Sequence, residues 1–204
     1  PASGLAEDVT AYLSGLTASV TQNGVPVTGG ALTDDPVNVK FSFGVPVLGD
    51  EPVPANPVMK GDYAEFPLSS GFSLESGSEF KLMSGDILVG HVKIITEVDE
   101  HGVKQVRARV DFDGDDDVFN GELHTVSCYF NAKFSYDSSG SGGGTGEDTV
   151  SILNKEYTVV IPPGEITYRV LKRGEVNLAD GTIPWTATVN AVQGGTPIDL
   201  GGYI

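Results

Sequence analysis

The chain is poor in cysteine, in basic residues and in tryptophan. Cys128 is the single cysteine in 204 residues, which excludes an internal disulfide and any cysteine-ligated metal cluster. Lysine and arginine total 12 against 28 aspartates and glutamates, a formal net charge of −16. Phosphate backbones and anionic lipid are bound by basic footprints, so nucleic acid and acidic membrane surfaces are excluded as partners. Basic, neutral and carbohydrate partners stay open. No apolar run approaches the roughly 20 residues of a spanning helix, so no membrane insertion is expected within these residues. No signal-peptide pattern stands at Pro1, and any export signal or anchor is expected outside this stretch.

What the chain does have is glycine, proline and a period of two. In PVNVKFSF, Val37, Val39, Phe41 and Phe43 fall on one face and Asn38, Lys40 and Ser42 on the other. VRARVDF (106–112) and HTVSCYFNAKF (124–134) alternate in the same way, the second through Val126, Cys128, Phe130, Ala132 and Phe134. Such alternation marks strands with one face on a core and one in water. Further strands are expected at 16–20, 62–68, 79–83, 89–96, 149–153 and 156–162, with Asn154-Lys155 as a tight hairpin turn. Only the opening SGLAEDVTAYLSGL (3–16) carries the pattern of a helical turn or two. Short strands between Gly/Pro-rich turns predict an all-β sandwich.

SSGSGGGTGED (138–148) has the composition of a flexible linker, but amphipathic strands flank it on both sides, and it reads as a loop inside one domain. The boundary is expected at Pro162-Pro163-Gly164, after which EITYRVLKRG (165–174) opens a new strand. The roughly forty residues beyond are too few to bury a core of their own. The expected organisation is therefore one domain over 1–163 and the truncated start of a second over 164–204.

Several segments in order resemble the paired N-terminal domains of Gram-positive cell-wall adhesins of the collagen- and fibrinogen-binding type. They are VKFSF with MKGDYAEFPL (59–68), FKLMSGDILVGHVKI (80–94) with VRARVDF and VFNGELHTVSCYFNAKF (118–134), and YRVLKRGEVNLADGTIPWTATVNAV (168–192). The resemblance implies a variant immunoglobulin-like sandwich followed by the first strands of a similar domain. It also implies a secreted, wall-anchored protein that grips an extracellular protein ligand, such as collagen or fibrinogen, without catalysis.

Lys172 continues the phase of Ile166, Tyr168 and Val170. A lysine on an apolar face either reaches out to solvent or is desolvated toward the neutral, nucleophilic amine. The resemblance implies a role for the second case, an intramolecular isopeptide bond whose partner would lie beyond Ile204. Lys40, on a polar face, is expected in solvent.

DFDGDDDVFNGE (111–122) places Asp111, Asp113, Asp115 and Glu122 where an EF-hand loop has ligands, but the sixth position is Asp116 and not glycine, and strands flank the loop. Two readings remain, a bare solvated turn and a weakly bound calcium on Asp111, Asp113 and Asp115. No other cofactor is expected. His91, His101 and His124 lack metal-ligand spacing, and no nucleophile elbow, HExxH helix or phosphate loop is present. Cys128 and Trp185 fall in phase with core positions. Three functions are compatible with a sandwich: a surface adhesin, a structural stalk or pilus segment strengthened by an isopeptide bond at Lys172, and a carbohydrate-binding accessory domain. The first is the expected one.

Overall fold

In the computed structural model, residues 6–50, 52–75, 77–123, 126–137, 146–162, 166–174, 179, 185–193 and 196–198 are described. The chain is predominantly β and divides into two compact units, Pro1–Val160 and Ile161–Ile204.

The first unit is built from β1 (Ser14–Gln22), β2 (Val25–Pro26), β3 (Ala31–Thr33), β4 (Val37–Val45), β5 (Tyr63–Ser70), β6 (Phe72–Leu74), β7 (Glu79–Ser84), β8 (Ile87–Val98), β9 (Lys104–Asp111), β10 (Val126–Tyr136), β11 (Gly146–Ile152) and β12 (Lys155–Ile161). These form one curled sheet in the order β2-β1-β4-β10-β7-β8-β9-β5-β11-β12-β3, with β6 beside β10. Among the described strand pairs β12 and β3 run parallel, and β1–β4, β10–β4, β7–β8, β8–β9 and β5–β9 are antiparallel. The expected alternation is seen in β4, whose inward Val37, Val39, Phe41, Phe43 and Val45 are all buried. Directly opposite, β10 sets Phe130 against Phe41 and Cys128 against Phe43. The Phe41 and Phe130 rings stack at 5.0 Å. Phe43 meets Phe66 of β5 edge-on at 5.7 Å, so an aromatic contact joins the β4 part of the sheet to the β5 part. Full burial of one such ring stabilises by about 1.5–3 kcal/mol.

The start of the chain holds to one part of the sheet and then crosses to another. The Tyr63 N–H donates to the Glu7 carbonyl (3.0 Å) and the Val9 N–H to the Tyr63 carbonyl (2.8 Å), a short parallel pairing beside β5. A single 3-10 turn, Thr10–Tyr12, then redirects the chain into β1, which pairs with β4. The helical signal at 3–16 is thus confined, among the described residues, to that turn. β1 and β2 are joined by Asn23-Gly24, both at positive φ (52° and 79°), the two-residue turn whose twist suits a hairpin.

The β11–β12 turn falls on Leu153-Asn154, one residue before the expected Asn154-Lys155, because Leu153 takes the left-handed conformation (φ 52°) and its N–H donates to the Leu68 carbonyl. β11 begins at Gly146, so the last residues of the 138–148 tract are strand; 138–145 lie outside the described residues. The second unit contains β13 (Ile166–Gly174), β14 (Trp185–Gln193) and β15 (Thr196–Ile198), an antiparallel sheet in that order. No helix among the described residues is long and apolar enough to cross a membrane.

Candidate functional site

The acidic segment is a turn with a one-turn helix, α1 (Asp116–Phe119), inside it. The expectation of an all-solvated turn missed this helix; Val118 and Phe119 anchor it by burial, which outweighs the mutual repulsion of the neighbouring aspartates. Asp115 is tied to the end of β8: its N–H donates to the Leu88 carbonyl and its Oδ2 accepts the Leu88 N–H. Gly114 is required here, since a Cβ at that position would lie 2.2 Å from the Leu88 carbonyl oxygen.

The three aspartates considered for calcium turn to different partners. Asp111 accepts from Arg109 (3.0 Å) and lies 3.6 Å from Lys93. Asp113 meets His91 at 2.8 Å, and Asp115 caps β8. Lys60 reaches Asp116 at 2.5 Å. Cations of this chain thus stand beside the cluster, and among the described residues no group of three or more His, Cys, Asp or Glu is gathered as a metal cage. Of the other histidines, His101 lies beside Glu100 and His124 is outside the described residues. Arg109 also bonds Glu65 (2.8 Å) and lies over the Tyr63 ring (4.1 Å). Burial works against its charge, but the bonds to Glu65 and Asp111 outweigh that and raise its pKa.

Cys128 is buried, and burial pushes its thiol up to about 12. Lys40 is exposed, with its amine 4.3 Å above the Tyr129 ring. Lys172 sits on β13 opposite Ala187 of β14. It shares a face with the paired Val170 and Val189, and all three are exposed, the valines at 63% and 47%. The phase read from the sequence therefore places Lys172 on the face of Val170, but that part of the face is open. Trp185 pairs with Gly174; its side chain lies outside the described residues.

A concave feature that combines apolar lining with a free sheet edge was not expected. It is a cavity of about 450 Å³ between β1 and the β11–β12 turn, lined among others by Leu16, Ala18, Pro67, Ile152, Lys155 and Tyr157. Ile152 and Tyr157 belong to the core, so the cavity opens onto the interior. Lys155 stands at its rim, donating to the Gly29 carbonyl (3.4 Å) and lying 4.8 Å from the Tyr157 ring centre. The lining residues come from three distant parts of the chain, so no local motif announces it.

Compared with protein-family models, with curated proteins and with solved structures, the chain has no significant match to any of them.

Proposed function

We propose that this chain is part of a secreted, surface-anchored adhesin that binds an extracellular protein of the collagen or fibrinogen type, without catalysis. Its first unit is read as an immunoglobulin-like sandwich. Support for that fold comes from the two buried faces meeting at Phe43 and Phe66 and from a first segment that pairs with β5 before crossing to β4. The observation that carries the binding reading is the cavity beside β1, a largely apolar recess next to a strand edge with space for one large side chain of a segment laid along that edge. Sheet edges are a recurrent means of holding extended peptides, through main-chain bonds for affinity and pockets for specificity.

The test is to pass the chain over surfaces carrying collagen, fibrinogen, fibronectin and a small glycan set, with and without calcium. Saturable binding to one protein surface is expected. Binding to glycans alone, or to no surface, would sink the reading. A second reading, a stalk segment cross-linked through Lys172, rests on Lys172 sharing a face with Val170 and Val189; it requires a further strand to cover that exposed face and desolvate the amine. Intact-mass measurement of a chain that includes the partner side chain tests it: loss of one ammonia per bond to an asparagine, or of one water per bond to an aspartate, is expected, and an unchanged mass contradicts it.

A further inference from the structure

We propose that the cavity in the first unit takes one extended peptide strand added along the free edge of β1, with an apolar side chain in the recess and a carboxylate beside Lys155. This rests on the binding reading above and names the chemistry of the ligand at one site.

The edge is established by register. Gln22 and Val25 close the Asn23-Gly24 turn, and two residues earlier the Val20 carbonyl accepts the Val27 N–H (2.9 Å). Backbone groups alternate in direction along a strand, so those of Ala18 point to the same side as those of Val20. β2 ends at Pro26, and among the described residues nothing pairs with β1 at Ala18 on that side. Its N–H and C=O are thus offered outward. Exposed edges are ordinarily guarded by charge, by proline or by a covering element. Ser14 to Ser19 carry no charge and no proline, so this edge is unguarded.

The recess lies beside that edge. Ala18 pairs with the fully buried Phe41, so its small side chain faces the interior at a position where Val20 on the same strand fills its space. On the far side, Pro67 has no N–H to give, and β5 receives β11 only at Ser69 and Ser70. The volume of about 450 Å³ falls in the range of small-ligand pockets and holds one large apolar side chain. A strand paired with β1 directs alternate side chains to the interior, which is what the recess requires.

Charge decides the neighbour of that side chain. Lys155 is exposed and has no carboxylate partner among the described residues, while Lys60, Lys93, Lys104, Arg109 and Lys133 all do. The net charge of −16 repels an acidic peptide at long range, but salt reduces that field to about 8 Å at physiological strength. Within contact distance the ammonium of Lys155 prevails, and a carboxylate is its complement. A glycan has neither the strand-spaced amides for Ala18 nor an apolar side chain for the recess.

The experiment titrates the isotope-labelled full chain with two blocked peptides of alternating Thr and Val, each with a central Phe and with either Asp or Lys two residues on. The expected result is amide shifts at Leu16, Ala18 and Lys155 and binding of the Asp peptide about two- to fivefold tighter than the Lys peptide. Lys155→Glu, an exposed change, reverses that order. Ala18→Pro, which removes the outward N–H, abolishes binding of both. The proposal is overturned if shifts appear elsewhere or not at all up to millimolar peptide, or if the order survives Lys155→Glu. A concentration-dependent dimer that Ala18→Pro dissolves also overturns it, because the edge would then belong to a second copy. Failure here is separable from failure of the adhesin reading. Collagen or fibrinogen binding that survives Ala18→Pro keeps the adhesin and discards this site; peptide binding without binding to any protein surface does the reverse.

Discussion

Two residues show how local chemistry sets what this surface can and cannot do. Cys128 is a nucleophile by type, but with its thiol raised to about 12 by burial it is almost wholly protonated at neutral pH and closed to reagents. A disulfide-exchange reagent at pH 8 should leave it unmodified in the native chain and modify it fully in guanidinium; rapid native reaction would contradict its burial beside Phe43. Gly114 is fixed by contact, with no room for a Cβ against Leu88 and Val89. Gly114→Ala should destabilise by about 1–3 kcal/mol, the cost of overpacking, measured as a lower urea midpoint. An unchanged midpoint would mean that the turn tolerates a shift of its backbone. Cys128 was legible from its phase alone. The need for Gly114 was not, because the atoms it would strike lie on β8, far away in sequence.

At the scale of elements, the long strands were legible and the short ones were not. β4, β9 and β10 each repeat the inside-outside alternation often enough to declare a face. β2, β3, β6 and β15 are two or three residues long, too short to show a period, and exist because neighbours offer them a partner. The Asn23-Gly24 turn carried a readable signal that strand patterning alone passes over. The β8–β9 hairpin shows how a turn is held. Asp99 accepts the N–H groups of His101 and Val103, both at 2.9 Å, and the amide of Gln105 at 3.1 Å. The Val103 backbone bond is the main cause that holds the Asp99 carboxyl below its usual range. Because the folded pKa is the lower one, the stabilisation is complete above the unfolded value of about 3.9 and is lost as pH falls through the folded value. Asp8, lowered by its bonds to Thr10, acts in the same direction. The urea midpoint should therefore fall below about pH 4, and Asp99→Asn, which keeps an acceptor but no titration, should flatten part of that fall. An acid limb unchanged by Asp99→Asn would remove Asp99 from the account.

At the scale of the whole molecule, the sequence disclosed an acidic all-β chain and left its recess hidden. The cavity assembles Leu16, Ala18, Pro67, Ile152, Lys155 and Tyr157, residues that only the curl of the sheet brings together. The acidic loop, the most conspicuous feature of the sequence, instead spends its carboxylates on Lys60, His91, Lys93, Arg109 and the end of β8. The reading of this chain as a binder of extended protein segments rests on the recess and its edge together. The most direct measurement is competition: the chain bound to its best protein surface, challenged with the Asp-containing strand peptide. The account predicts that the peptide displaces the chain in proportion to its own affinity, and that the Lys-containing peptide does so less well. Binding to that surface that neither peptide disturbs, at concentrations saturating the peptide site, would contradict it.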